Sequence, residues 1–191
     1  VSAGPLLTTE RFELWRPAAT DLDDLVCLIA DEETRAFLGP ANPAPSAVYE
    51  RLQRNAGSWA LHGYGTFYVR ERGGSGGQII ANCGVFHSWR GFPEMDDVAE
   101  AGWIVRHDWW AKGVAQEVMR AALAWFAETH GPRRVVCMIE EGNAASERVA
   151  ARLGFRRFAQ RQSDDARDAA VLLLLECTLP AQPNTYPTVS T

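Results

Sequence analysis

Residues 98–130 read VAEAGWIVRHDWWAKGVAQEVMRAALAWFAETH, and this stretch sets the fold class. Residues 98–106 form a strand. A helix follows from about Gly113 to Thr129, with Val114, Val118, Ala121, Ala122, Trp125 and Phe126 on one face. Gly131-Pro132 ends it. Between strand and helix lies Trp110-Ala111-Lys112-Gly113-Val114-Ala115-Gln116-Glu117. A small-residue turn that opens a helix leaves several N–H groups without intrahelical partners, at the positive end of the helix dipole. Such a turn suits a phosphate or pyrophosphate. Gly113 lets the backbone approach the oxygens, Ala115 keeps the helix start uncluttered, and Lys112 adds charge. The stretch is neither a P-loop nor a G-x-G-x-x-G fingerprint. Read as structure alone, it is a turn before a helix.

Outward from this unit, residues 11–16 read as a strand stopped by Pro17, after a loose lead-in over residues 1–7. Thr20 caps a helix whose apolar face is Leu22, Leu25, Val26 and Ile29, and Asp21, Asp23 and Asp24 suit its N-terminal dipole. Residues 39–45 hold three prolines and form a loop. Ser46 caps a second helix that runs to about His62. Residues 66–71 and 78–86 are strands joined by the glycine turn 73–77. Residues 87–97 form a loop with Trp89, Phe92 and Pro93. Residues 134–140 are a strand and residues 143–153 a helix capped by Asn143 and ended by Gly154. Strand follows from Phe155, then a polar turn at 163–168 and an apolar strand at 169–179. Residues 180–191 read as a disordered tail. The order β-α-α-β-β-β-α-β-α-β-β predicts one α/β domain, residues 8–179, with a mixed sheet.

The chain has 191 residues, 47% apolar and 23% charged, which suits one domain with a substantial core. A net charge of −5 argues against a nucleic-acid or anionic-membrane binder. Cys27, Cys83, Cys137 and Cys177 form no C-x-x-C pair and read as reduced core thiols. The four histidines show no ligand spacing, so no metal is expected. No leader peptide and no membrane-length apolar run is read, so a cytoplasmic protein is the expectation.

The second chemical segment is Asn143-Ala144-Ala145-Ser146-Glu147-Arg148-Val149-Ala150-Ala151-Arg152-Leu153-Gly154-Phe155. Ser146 falls at about the third helical position, where its hydroxyl can face a ligand entering beside the preceding strand. With Thr9 to Pro17, Ala99 to Val105 and Trp110 to Ala115, this segment resembles the GNAT superfamily of N-acetyltransferases. Within that superfamily it is similar to the RimJ/RimL-type ribosomal-protein-alanine acetyltransferases. Trp110 stands at the first position of the turn, and Ala111 where that subfamily usually has Gly. No tyrosine follows Asn143 where many relatives keep their thiol-protonating acid.

The resemblance implies a GNAT fold with a splayed central sheet, and acetyl-CoA as co-substrate. It implies that backbone groups of Ile104 and Val105 pair with the pantetheine and that the amides of Lys112, Gly113, Val114, Ala115 and Gln116 hold the pyrophosphate. Asn143 would bond the pantetheine arm, and Ser146 would protonate the departing thiolate. The acceptor is a primary amine, on a small molecule or at a peptide N-terminus. An α-amine of pKa about 8 costs about 1.4 kcal/mol to deprotonate at pH 7, against about 4.6 for a lysine. Glu100 is the candidate base, beside the space left by Gly102, with a salt-bridged glutamate as the alternative. Glu94, Asp96, Asp97, Glu140 and His107 are its rivals. Trp59, Trp103, Trp109 and Trp110 are expected to pack, and Trp89 to stand near an acceptor. A homodimer is an open expectation, since relatives are often dimers. The competing class is a CoA-binding or partner-binding module without catalysis on the same fold.

Overall fold

The computed structural model describes residues 4–38, 44–73, 77–163 and 170–179. The proline-rich loop, the glycine turn, the polar turn at 163–168 and the C-terminal tail therefore lie wholly or partly outside the described residues. The strands are β1 (Leu7–Thr8), β2 (Phe12–Trp15), β3 (Thr66–Glu71), β4 (Ala81–Ser88), β5 (Val98–Val105), β6 (Arg134–Glu140), β7 (Arg156–Gln162) and β8 (Val171–Thr178). The helices are α1 (Leu22–Ala30), α2 (Pro45–His62), α3 (Val114–His130) and α4 (Ala144–Arg152). The expected order holds with one addition. Leu7 and Thr8, placed at the edge of a loose lead-in, pair with Leu14 and Glu13 as a short edge strand.

One mixed sheet runs β1-β2-β3-β4-β5-β6-β8-β7. Its only parallel neighbours among the described residues are β5 and β6, joined by the α3 crossover, and the hairpin-linked strands run antiparallel. Side chains alternate across the sheet. Ala99, Ala101, Val135, Cys137 and Ile139 face α3 and α4, where Val114, Val118, Ala122, Phe126 and Ala150 complete the main core. On the opposite face, Leu25, Leu28 and Ile29 of α1 and Val48 and Leu52 of α2 cover Tyr68 and Ile79, with Ile104 packed against them. Farther along that face, Phe92 and Met95 of the β4–β5 loop cover Val136 and Leu174. Trp59 stacks edge-on to Phe67 at 4.9 Å and donates to the Thr66 carbonyl at 2.9 Å, the packing role read for it.

Several local expectations change. Thr20 sits inside a 3-10 turn, Ala19–Asp21, and does not cap α1. The Asp21 carboxylate instead accepts from the Ala18 N–H at 2.7 Å. The α2 helix starts at Pro45, one residue before the expected Ser46 cap, because proline is preset for the first helical position. The inward face of α1 adds Leu28 to the expected residues, with Leu25 and Ile29 buried and Leu22 and Val26 partly buried against the same core. Cys27 is exposed, while Cys83 and Cys137 are buried, and burial pushes the Cys83 thiol up to about 12. Among the described residues no helix is long and apolar enough to cross a membrane.

The α1 carboxylates do more than answer a dipole. Asp21 and Asp24 hold Arg70 of β3 at 2.8 and 2.9 Å, fastening α1 to the sheet. The Asp21 and Arg70 side chains are only 10% and 16% exposed, so removing the cation strands a buried carboxylate. Arg70→Met is expected to cost about 3 kcal/mol, lowering the melting temperature by roughly 6–12 °C, whereas Asp24→Asn costs less; thermal and urea unfolding measure both.

Candidate active site

The β5 and β6 strands pair through Ala99 with Val135 and Glu100 with Val136, and no farther. Beyond that point they separate, and a cleft of about 660 Å³ opens between them. Residues 101–105 of β5 line one wall, Cys137 to Glu140 of β6 the other, and Thr34, Phe37 and Leu38 close it from the α1–α2 side. Backbone phase decides which β5 groups face this gap. The Arg106 N–H donates to the Ile80 carbonyl at 2.9 Å, in line with the β4–β5 ladder. Hydrogen-bonded pairs alternate in an antiparallel ladder, so the next such pair is Asn82 with Ile104. Ile104 lines the cleft but turns its own N–H and C=O to β4, which corrects the pairing expected of it. Trp103 and Val105 turn theirs to the gap. The Val105 carbonyl takes the Trp110 indole N–H at 2.7 Å, leaving its N–H and the Trp103 backbone groups for a ligand.

The turn after β5 delivers α3 to the mouth of the cleft. Gly113 holds φ +76° and Ala111 φ +58°, the left-handed region. The Glu117 N–H bonds the Gly113 carbonyl at 3.0 Å, so the amides of Val114, Ala115 and Gln116 precede the first intrahelical bond. Ala111, Gly113, Val114, Ala115 and Gln116 line the cleft. Lys112 does not, because its ammonium lies over the Trp109 ring at 5.0 Å. Two other cations do line it. Arg148 and Arg152, one turn apart on α4, line the cleft. Both stand in the quoted α4 segment, and their i, i+4 spacing was the signal that could have singled them out.

At the deep end, Asn143 caps α4. Its side-chain oxygen accepts from the Ser146 N–H at 3.0 Å, leaving the amide NH₂ to point elsewhere. Ser146 is the third residue of the helix and lines the cleft, as its spacing predicted. Its hydroxyl oxygen accepts from the Trp103 indole N–H at 3.2 Å. Sequence reasoning assigned Trp103 to packing and missed this bond. An indole is a donor only, so it fills an acceptor position on Ser146 and leaves the serine proton for another partner.

Glu100 does not line this cleft. It is 3% exposed and lies on the opposite face of β5 from Trp103. Arg90 grips both carboxylate oxygens, at 2.5 and 2.9 Å, and the Ser88 hydroxyl donates to one at 2.5 Å. Burial works against the Arg90 charge, but the Glu100 carboxylate outweighs it and raises the arginine pKa. The salt-bridged alternative thus describes this glutamate, and the space expected at Gly102 is taken by the Phe86 ring, 3.1 Å from where a Cβ would stand. Of the rivals, Asp96 accepts from the Arg90 and Gly91 amides, Asp97 pairs with His87, Glu94 with Arg161, and His107 with Asp31. Glu140 does line the cleft. Trp89 is 72% exposed in its loop. Donor atoms of Asp31, Glu33 and His107 lie within 4.8 Å of one another, a grouping that ligand spacing did not reveal. The Asp31 oxygen there already accepts from Thr34 and meets His107.

The Acetyltransferase (GNAT) domain family model matches residues 11–156, well over half the chain. The chain belongs to the GNAT acetyltransferases. It is similar to a Bordetella pertussis protein described as a GnaT-family acetyltransferase, at 30% identity over 89% of this chain and 97% of that one, with a TM-score of 0.78. An acetyltransferase from Agrobacterium tumefaciens str. C58 matches at 25% identity over 91% and 94%, TM-score 0.70. The fold is also that of RimL, a ribosomal L7/L12 alpha-N-protein acetyltransferase solved with coenzyme A, at 14% identity over 93% and 99%, TM-score 0.70. Transfer of an acetyl group from acetyl-CoA is the activity that membership of the GNAT family implies.

In this GNAT chain the two left-handed positions of the turn respond oppositely to substitution. A Cβ at Gly113 meets only Arg11 Nη2, at 3.7 Å, so Gly113→Ala adds backbone strain without a clash. It is expected to lower stability by about 1–2 kcal/mol. Ala111→Gly relieves the same strain at some entropic cost, for a net gain of roughly 0.5 kcal/mol. Urea unfolding of the two variants checks the contrast in sign.

Proposed function

We propose that this protein is a cytoplasmic acetyl-CoA-dependent N-acetyltransferase of RimJ/RimL type that moves the acetyl group to a primary amine by direct attack in a ternary complex. The observation that carries the reading is the opening of β5 from β6 between the α3 amides and Ser146. An unpaired strand edge in that opening suits the amide-bearing pantetheine as an added strand. The α3 amides with Arg148 and Arg152 suit the phosphates, since a helix N-terminus and guanidinium groups both favour anions. Asn143 offers its NH₂ to the pantetheine arm.

In the transfer, the N–H groups of Trp103 and Val105 stabilise the oxyanion that develops when the amine nitrogen bonds to the thioester carbon. As the carbon–sulfur bond breaks, Ser146 gives its proton to the thiolate, the acylated nitrogen releases one proton to solvent, and Ser146 recovers one from solvent. Trp103 holds Ser146 in the donating orientation. The amine must arrive neutral. With Glu100 held by Arg90 and Ser88, the only carboxylate lining the cleft among the described residues is Glu140. This favours an α-amine, on a small molecule or a peptide N-terminus, over a lysine. Glu100 is assigned the role of anchoring Arg90 in place of base.

Acetyl-CoA at 100 times its dissociation constant is expected to stabilise the protein by about 2.7 kcal/mol, raising the melting temperature by roughly 5–10 °C. No rise at millimolar acetyl-CoA would abandon the reading. Ser146→Ala is expected to lower kcat about 100-fold with that rise intact. Glu100→Gln is expected to leave the pH profile of kcat/KM in place. A profile that loses its lower limb in the glutamine variant would restore Glu100 as the base.

A further inference from the structure

One residue links the α3 amides to a group of arginines. The Gln116 N–H belongs to the set that precedes the first intrahelical bond, and Gln116 lines the cleft together with Arg148 and Arg152. Two guanidinium groups flank its side-chain amide. With the amide turned one way, the oxygen accepts from Arg152 Nη1 at 3.4 Å. With the amide turned over, the oxygen accepts from Arg120 Nη2 at 2.7 Å and Nη1 at 3.3 Å. Arg120 stands one turn after Gln116 on α3, and Arg148 one turn before Arg152 on α4. All three arginines are exposed.

The fold supplies this group with no anion. Among the described residues, ion pairs take up Arg11, Arg70, Arg90, Arg106, Arg134 and Arg161, and none of these three. Glu117, the acidic residue in the first turn of α3, is held by Arg11 at 2.7 Å. Like charges four residues apart destabilise a helix, so the Arg148–Arg152 spacing works against α4 unless an anion lies between them. The amides at the α3 N-terminus suit a diphosphate. The arginines lie to the side of those amides, one side chain away through Gln116. Coenzyme A has a matching arrangement, because its ribose carries the diphosphate on one carbon and a phosphate monoester on the 3′ carbon of the same ring. That monoester bears about −1.5 to −2 charges at pH 7 and three acceptor oxygens. Guanidinium forks pair with phosphate oxygens two at a time. We infer that Arg120, Arg148 and Arg152, drawn together by Gln116, bind the 3′-phosphate of the coenzyme, so that the enzyme selects acetyl-CoA over its 3′-dephospho form. The inference rests on the acetyl-CoA reading of the cleft and adds the group by which the coenzyme is told apart from its close analogue.

Calorimetric titration of the full chain with CoA and with 3′-dephospho-CoA tests it. Wild type is compared with Arg120→Gln, with Arg152→Gln and with the triple variant Arg120→Gln/Arg148→Gln/Arg152→Gln, and urea unfolding confirms that each is folded. Wild type is expected to bind CoA roughly 10- to 100-fold more tightly than the dephospho form. Each single variant is expected to reduce that preference, and the triple variant to bring it close to unity. Equal affinity of wild type for the two forms overturns the inference, and so does a preference that survives the triple variant. Weakening of both forms by the same factor assigns the arginines to the diphosphate and overturns it as well. Each of these outcomes leaves the coenzyme reading of the cleft standing. Failure of both forms to bind wild type would instead bring down that reading, and this inference with it.

Discussion

Everything in the site depends on two strands that stop pairing. Parallel β5 and β6 share two register pairs and then separate inside a continuous sheet. Separation exposes backbone groups in the middle of a protein, where unpaired N–H and C=O groups are costly. The chain satisfies one of them itself, by turning the Trp110 indole onto the Val105 carbonyl. The rest are open to a ligand that can stand in for the missing strand. The site is therefore a consequence of the sheet. The opening sets where an extended, amide-rich molecule can enter, and α3 and α4, whose N-termini line it, set what charge and what hydroxyl meet that molecule.

The turn into α3 shows how sequence identity and backbone geometry trade against each other. Gly113 adopts its left-handed conformation freely, whereas Ala111 adopts the same region under strain. A position where the resembled subfamily keeps glycine is thus occupied by alanine without losing the conformation. The surrounding bonds, Trp110 to Val105 and Arg11 to Glu117, hold the turn on both sides. Strain of this kind is tolerated where the neighbouring contacts over-determine the backbone, and here they fix the direction in which the α3 amides point.

Much of this was legible in the sequence because it is local. Strand and helix periods, the Asn143 cap, the Gly154 stop and the placement of Ser146 all follow from spacing within a few residues. What was not legible depends on which distant group comes to meet a side chain. Glu100 reads the same in sequence whether it faces an amine or Arg90, and only the β4–β5 loop decides. Lys112 reads as a phosphate ligand until Trp109 takes its ammonium. The Ile104 backbone reads as open until the ladder phase turns it to β4. Trp103 reads as packing until α4 brings Ser146 to its indole. In each case the residue type was informative and the partner was not.

Three arginines on one face of the sheet carry this point furthest. Arg70 is matched by Asp21 and Asp24 and acts as a rivet for α1. Arg90 is matched by Glu100 and fixes the β4–β5 loop. Arg51 sits near Arg90 without a carboxylate of its own among the described residues. The chain as a whole is acidic, so its net charge argued only about what it avoids. Local balance argues the other way. Charge accounting over one sheet face therefore explains more of how the helix and the loop are fixed than charge accounting over the whole chain.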